Sequence, residues 1–290
     1  MLWIESIKLF VLGMVQGFSE FLPISSSGHL KLFQHFFQME SDGNSFVSIM
    51  LHVGTLGAVL IVYHRLIWDL IVEFFKTIGD VFTGKFRFKE MNSTRRMMVM
   101  LICATLVLGI MVIPFGEHSL KDYMEMLNEL PNLVPLGIAF MVTGVLLITT
   151  FVITAKRKKN RNDATIRDAL IIGGSQCVAT MAGISRSGAT MATGLLCGLS
   201  REYMIRFSFI LSIPAIAAAA LSETKTVIED PSTLSVDLLP VVVGMISALV
   251  FGILSIKMIE WLLRKDRYQL FGYYCLTLGL IVVILGLIGV

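Results

Sequence analysis

The sequence predicts an all-α integral membrane protein: an inverted-topology repeat with six transmembrane helices plus two re-entrant helix pairs. Three observations carry that expectation. The 290 residues are 55% hydrophobic and 16% charged, with a mean hydropathy of +0.78, whereas a soluble domain carries about 25% charged residues. Several stretches lack any Asp, Glu, Lys or Arg for the length of about 20 residues that a spanning helix needs. Finally, the segment 13–29, GMVQGFSEFLPISSSGH, recurs without a gap 160 positions further on as 173–189, GGSQCVATMAGISRSGA.

The uncharged runs are 43–63, 97–115, 133–155, 238–256 and 268–290. The run 207–222 makes a sixth span if Arg206 snorkels, its stem in apolar surroundings and its charge in water. Residues 1–19 are apolar and helical, with Gln16 and Glu20 one turn apart on one face. Pro23 discourages continuation of that helix, and Ser25-Ser26-Ser27-Gly28 has turn and N-cap character. A second short helix follows from about Gly28 to Phe37. Neither piece is expected to span, which leaves a broken pair that enters and leaves on one side. Residues 169–185 and 187–199 repeat that plan around Arg186. Irregular backbone at membrane depth is tolerated only where protein buries it or a wet cavity meets it.

The remaining features are plainer. Glu5 and Lys8 lie early with no small-residue cleavage site after them, so no signal peptide is expected. Cys103, Cys177, Cys197 and Cys275 are scattered in apolar runs without a CxxC pair. They read as packing residues rather than zinc ligands or a disulfide framework. Asp69, Glu73, Lys76 and Lys85 lie among Trp68, Phe74, Phe75 and Phe82, which reads as an amphipathic helix on the membrane surface.

Charge predicts the topology. Segments 64–96, 156–167 and 257–267 carry seven, six and four Lys/Arg, the second beginning with KRKKNR. Segments 116–132 and 222–237 carry one each, Lys121 and Lys225, among acids such as Glu117, Asp122, Glu229 and Asp230. The positive-inside rule places the first three in the cytoplasm and the last two outside. Three spans then separate the two broken pairs, and an odd number inverts the second half. The first repeat is 1–155 and the second, inverted repeat is 156–290. The first pair enters from outside and the second from the cytoplasm, with their tips meeting near the midplane, a plan known from transporters.

The two copies differ in chemistry. Glu20 faces Thr180, Ser26 faces Arg186 and His29 faces Ala189. One copy brings an acid, a hydroxyl and an imidazole, the other a guanidinium, as two halves of one site. Polar groups in lipid are costly and usually functional. Each tip starts a helix just after its serines, and a helix N-terminus suits an anion such as phosphate. Arg186 adds a planar fork that binds phosphate in bidentate fashion. Ser185, Ser187 and Thr190 flank it as hydroxyl donors, and Ser25 and Ser27 do so on the first tip. Arg186 as a structural ion pair with Glu20 is the plainer alternative, compatible with the first in the empty protein. Glu20 with Gln16 could hold a hard divalent cation that brings substrate phosphates as further ligands. His29 lies three residues after Ser26, within reach of its hydroxyl. His52 reads as an ordinary hydrogen-bonded core histidine.

These residues resemble a family. Gln16-x-x-x-Glu20, Pro23-x-Ser25-Ser26-x-Gly28-His29 and Gly183-x-Ser185-Arg186-Ser187-Gly188-x-Thr190 are similar to the two signatures of the undecaprenyl-diphosphate phosphatase, or bacitracin-resistance, family. The resemblance runs over nearly the whole chain in order and spacing. One departure is Ala182, where the second signature has Pro. The resemblance implies removal of the terminal phosphate from a C55 polyprenyl diphosphate, regenerating the carrier lipid of peptidoglycan synthesis and giving bacitracin resistance. It places the chain in the bacterial cytoplasmic (inner) membrane with the site opening to the external side. It assigns Arg186 and the tip N–H groups to phosphate, and Glu20 with Gln16 to Mg²⁺ or Ca²⁺. Ser26 becomes the nucleophile and His29 its general base and then acid; direct attack by His29 or by water stays open. The partners expected are the lipid diphosphate and the membrane; a homodimer stays open, and no nucleic acid is expected.

Two other readings compete. The acid phosphatase superfamily that includes lipid phosphatases needs a His five residues beyond its SR pair, where this chain has Ala192, and a KxxxxxxRP signature that is missing. A membrane transporter or lipid flippase would share the inverted plan, since fold does not decide function. A carrier needs no nucleophile beside an imidazole, which favours an enzyme.

Overall fold

The computed structural model describes residues 2–37, 44–116, 118–128, 130, 132–155, 160–229, 237–265 and 267–289. Lys156–Lys159 of the basic segment, Glu117 and Asp230 lie outside the described residues. The helices, in order, are α1 (Leu2–Phe21), α2 (Ser26–Phe36), α3 (Asn44–Val62), α4 (His64–Phe82), α5 (Ser93–Val107) and α6 (Leu120–Asn128). They continue with α7 (Val134–Thr154), α8 (Ile166–Val178), α9 (Arg186–Leu196), α10 (Arg201–Glu229), α11 (Leu238–Arg264) and α12 (Gln269–Leu287). One two-residue antiparallel pairing, Pro114–Phe115 with His118–Ser119, precedes α6.

Among the described residues, six helices are long and apolar enough to cross a bilayer: Leu2–Phe21, Ser93–Val112, Val134–Thr154, Arg201–Leu221, Leu238–Leu263 and Gln269–Leu287. The chain is an all-helical integral membrane protein. Two details differ from the sequence reading. Helix α1, expected to be half of a re-entrant pair, meets the length and composition of a span by itself. Helix α3, expected to span alone, runs into α4 at a bend of 84°. α4 then exposes Trp68, Phe75 and Phe82, the apolar stripe expected of a surface-lying helix. Arg95 at the start of α5 ties α4 down, its Nε donating to Glu73 at 2.8 Å and a terminal nitrogen to Asp80 at 2.7 Å.

Small residues hold the long helices together. In lipid, helices gain little from hiding apolar surface, so close backbone approach carries the association. A Cβ on Gly13 of α1 would stand 2.2 Å from the Gly244 carbonyl oxygen of α11, and one on Gly17 would stand 2.7 Å from that of Ala248. Ser247 and Ser255 of α11 donate back to the carbonyls of Phe10 and Phe18, both at 2.8 Å. Partner numbers rise together, so α1 and α11 run parallel. Gly173, the counterpart of Gly13 in the repeat, does the same job for α8 against α5, its Cβ position 2.6 Å from the Ala104 oxygen. Cys177 Sγ donates to the Val107 carbonyl at 3.6 Å, so this pair is parallel too. Between α7 and α12, Gly137 meets Gly279 and Gly144 meets Gly272, an antiparallel crossing made by two glycines from each helix.

Phe21, Met204, Phe207, Leu211, Ile256 and Ile259, all nearly fully buried, belong to one cluster joining α1, α10 and α11. At one end of the bundle, Arg161 staples the segment before α8 to the α9–α10 turn. Its N–H donates to Gly198 O at 2.8 Å, its carbonyl accepts from Ser200 at 2.7 Å, and its guanidinium grips Asp168 at 2.9 and 3.1 Å. Asp168 is also the N3 residue of a capping box with Thr165, which satisfies two N–H groups that a helix start leaves open.

Burial by itself raises the Asp168 carboxyl, but the Arg161 fork and the Thr165 N–H and hydroxyl outweigh it and hold it below the usual carboxylate range. A carboxyl depressed in the folded state stabilises above its unfolded pKa of about 3.9 and loses that contribution as pH falls through the folded value. Thermal unfolding in detergent should therefore drop in temperature below about pH 4. Asp168→Asn should unfold earlier at pH 7 and show a shallower acid limb.

Candidate active site

The site lies where the two repeated segments come together. After α1, Pro23 restricts the preceding residue away from helix, and the Ile24 N–H folds back to the Leu22 carbonyl at 2.8 Å. Ser25 then takes φ 71°, a left-handed conformation that a side chain pays for and that clusters at functional sites. Its hydroxyl holds it there, accepting from Gly28 N at 3.3 Å and, across the two copies, from Gly183 N at 3.1 Å. In the second copy Gly183 itself carries the positive φ, 94°. Ser185 caps α9 by accepting from Gly188 N at 3.1 Å. Thr143 of α7 clamps this turn, donating to the Gly183 carbonyl at 3.0 Å and accepting from Ser185 N at 3.1 Å.

The tips touch without room for side chains. A Cβ on Gly28 would lie 3.1 Å from Gly183 Cα, and one on Gly188 would lie 3.2 Å from Pro23 Cβ. Ser187 donates across to the Leu22 carbonyl at 3.3 Å. Asn128, ending α6, holds the second tip by accepting from Ala182 N at 2.8 Å and donating to the Thr180 carbonyl at 3.2 Å. A proline at 182, as in the family signature, would have no N–H for Asn128. The departure at Ala182 thus has a local use.

A cavity of about 390 Å³ opens beside the tips, lined among others by Glu20, Ser26, Ser27, His52, Gln176 and Arg186. Glu20 is its centre. One carboxylate oxygen accepts from Gln16 Nε2 at 2.9 Å and from the Ser26 hydroxyl at 2.7 Å. The other takes the Arg186 guanidinium in a short contact. Glu20 is 5% exposed, so this pair from the two copies closes a charge balance that an apolar interior would otherwise resist. The N-termini of α2 and α9 both begin at the cavity, each 11 residues long, and their N–H ends favour an anion.

The expected site residues divide into three groups. Gln16, Glu20, Ser26 and Arg186 are brought together, and Ser27 reaches the cavity. Ser25 and Ser185 border it, but their hydroxyls are occupied in holding the tips. Ser187 and Thr190 point elsewhere, Thr190 to the Arg186 carbonyl at 2.9 Å and the Ser208 hydroxyl at 2.6 Å. The hydrogen bond expected between Ser26 and His29 is not made. His29 Nδ1 donates to the Ser25 carbonyl at 2.7 Å and Nε2 meets Tyr274 Oη at 2.7 Å. One turn of α2 places both residues on the same helix, but the Ser25 kink draws the ring to its own carbonyl.

Two cavity residues escaped the sequence reading. His52, taken for a core histidine, donates from Nδ1 to the Ser48 carbonyl at 2.8 Å and turns Nε2 toward Glu20 at 3.5 Å. Nothing local marked it, because it sits in an apolar run without a motif. Gln176 did have a signal: it stands opposite Gln16 in the repeat. The residue is 3% exposed, and among the described residues neither its amide oxygen nor its nitrogen has a partner.

A buried acid–guanidinium pair, a serine hydroxyl on the acid and two helix N-termini at one cavity make this an integral membrane protein whose site suits an anion such as phosphate. The chain belongs to the family described as bacitracin resistance protein BacA, whose model matches residues 9–281. It is similar to the undecaprenyl-diphosphatase of Alkaliphilus metalliredigens, 36% identical over 97% of this chain and 98% of the relative. It is likewise similar to those of Methanosphaera stadtmanae, at 37% over 98% and 99%, and Treponema denticola, at 38% over 93% of each.

An unpartnered buried amide costs about 1–3 kcal/mol. Gln176→Leu should thus leave thermal stability unchanged or raise it, while lowering phosphate release at least about tenfold through loss of one donor at the cavity. Circular dichroism melts and a phosphate assay on the same preparation read the two effects.

Proposed function

We propose that this chain hydrolyses undecaprenyl diphosphate to undecaprenyl phosphate and inorganic phosphate. The observation that carries the reading is the Ser26 hydroxyl donating to a Glu20 carboxylate that also holds Arg186. The names of the relatives agree with it. Phosphoryl transfer depends mostly on positioning and on neutralising spread charge. A diphosphate entering the cavity meets Arg186, the N–H groups of α2 and α9, Ser27 and the Gln176 amide. Arg186 turns from Glu20 to phosphate oxygens, which frees the carboxylate to act as a base.

Ser26 Oγ attacks the terminal phosphorus and its proton passes to Glu20. The new P–O bond forms as the anhydride P–O bond breaks, and the lipid monophosphate leaves. Water then attacks the phosphorus of the phosphoserine, the P–Oγ bond breaks as Glu20 returns the proton to Ser26 Oγ, and inorganic phosphate departs with both protons of the water. In this scheme Glu20 takes the base role first given to His29, and His29 positions the first turn of α2. A carrier has no use for the serine–carboxylate pair.

A hard divalent cation fits beside this pair. Gln16 Oε1 is a buried oxygen with no partner among the described residues, next to the Glu20 carboxylate, and Mg²⁺ and Ca²⁺ take oxygen ligands. Among the described residues no group of three His, Cys, Asp or Glu could hold a metal, so substrate oxygens would complete the shell. Gln16 and Glu20 would hold the ion, whose contribution is neutralisation of phosphate charge.

Phosphate release by the purified protein in detergent, with and without EDTA, tests the activity and the cation together. Glu20→Gln should abolish turnover. Arg186→Lys, which keeps the charge but loses the fork, should stay folded and lose about 2–4 kcal/mol of transition-state stabilisation. Near-normal turnover of Arg186→Ala/Glu20→Ala would sink the site.

The same reading makes the fold an inverted repeat in the bacterial cytoplasmic membrane, with the cavity opening outward. Support comes from α1 lying parallel to α11 as α8 does to α5, from the paired glycines of α7 and α12, and from the basic segments. Cysteines placed at Lys85 and Lys121 in a cysteine-free background should react with an impermeant thiol reagent from opposite sides. Reaction of both from one side would contradict the topology.

A further inference from the structure

The polar cavity has an apolar neighbour. Leu108, just past the end of α5, and Ala215 and Ile216 of α10 line the cavity. A few residues along the same two helices, Thr105, Leu106, Ile213 and Pro214 line a groove of about 540 Å³ between α4, α5 and α10. Leu70 and Phe74 form its α4 side. Its one hydroxyl is spent, since Thr105 donates to the Leu101 carbonyl at 2.8 Å. The groove thus offers carbon alone, and its lining adjoins that of the cavity along the chain, at Leu106 and Leu108 and at Pro214 and Ala215.

The repeat explains why the groove exists. Carried on unchanged, the 160-residue offset sets Gly54 of α3 over Pro214 of α10. Gly54 lets α3 close on α11, for a Cβ there would stand 2.4 Å from the Met245 carbonyl oxygen. Pro214 lies inside α10, where its ring and missing N–H oppose both close approach and a regular helix. The seam sealed by a glycine in one half is left open by a proline in the other.

We propose that this groove binds the cavity-proximal part of a polyprenyl tail whose diphosphate occupies the cavity, a role that rests on the cavity holding that diphosphate. Head and tail are one molecule, so the tail must leave the polar cavity along an apolar path, and α5 and α10 supply it. The tail exchanges bilayer lipid for protein, so the gain comes from packing and from aligning the head rather than from escape from water. Part of the binding energy of the non-reacting tail thereby serves the reacting centre.

Thr105→Trp and Ile213→Trp fill the groove, and Leu280→Trp on the exposed face of α12 serves as control. Phosphate release is measured on undecaprenyl diphosphate and on isopentenyl diphosphate, whose five carbons leave the groove empty. The groove variants should lose about tenfold or more in kcat/KM on the long substrate, with the short one and the control unchanged. Equal losses on both substrates, or no loss on either, would overturn the proposal, the second outcome meaning that the groove holds bulk lipid. A wild-type protein inactive on both substrates would instead refute the cavity reading. For variants that fail to fold, wild-type protein is photolabelled with a diazirine-bearing C15 diphosphate. Label on α5 and α10 supports the groove; label confined to other helices refutes it.

Discussion

The Glu20–Arg186 pair is the interaction on which the rest depends. Each residue alone would be a charge in an apolar interior, costing several kcal/mol. Together, one from each copy of the repeat, they neutralise each other and join the two halves of the chain. The pair also sets demands on its surroundings. Glu20 has lone pairs left over, which Gln16 and Ser26 fill. Arg186 must enter from the first residue of α9, which forces that helix to begin at the cavity.

Starting helices inside an apolar bundle exposes N–H groups that apolar surroundings do not satisfy. The tips solve this internally. Ser25 and Ser185 cap their own helices, Ser25 also accepts from the opposite turn, and Thr143 serves both a carbonyl and an N–H of the second tip. Such closeness requires residues without side chains, and Gly28, Gly183 and Gly188 meet that requirement. Glycines of α1, α7, α8, α11 and α12 extend the same logic to the scaffold, bringing backbones close enough for the tips to register.

Identical halves would make a symmetric and inert site. Function comes from where the copies depart from each other. Ser26 against Arg186 separates the nucleophile candidate from the cation, and Glu20 against Thr180 leaves a single carboxylate. Gln16 and Gln176 stay the same residue but differ in surroundings: Gln16 donates to Glu20, while among the described residues the Gln176 amide has no partner. Gly54 against Pro214 seals one helix seam and opens the other.

Composition and charge-free runs alone determined that the chain is helical and crosses a membrane, because lipid admits few other solutions. The repeat alone drew Glu20, Ser26 and Arg186 into one site, since those were the polar exceptions in otherwise matching apolar segments. Local spacing failed for His29. Three residues along a helix brings it near Ser26 only if the first turn is regular, and the left-handed Ser25 makes its own carbonyl the nearer partner. It failed for Ser187 and Thr190 too, whose hydroxyls satisfy backbone and neighbours rather than the cavity. The entry of His52 depended on how α3 packs against α1, a contact between elements with no trace in either segment. Sequence therefore settled which groups must be paired in an apolar interior, through the cost of leaving them unpaired. Only the tertiary packing decided which partner each one takes, because several partners were chemically equivalent and geometry chose among them.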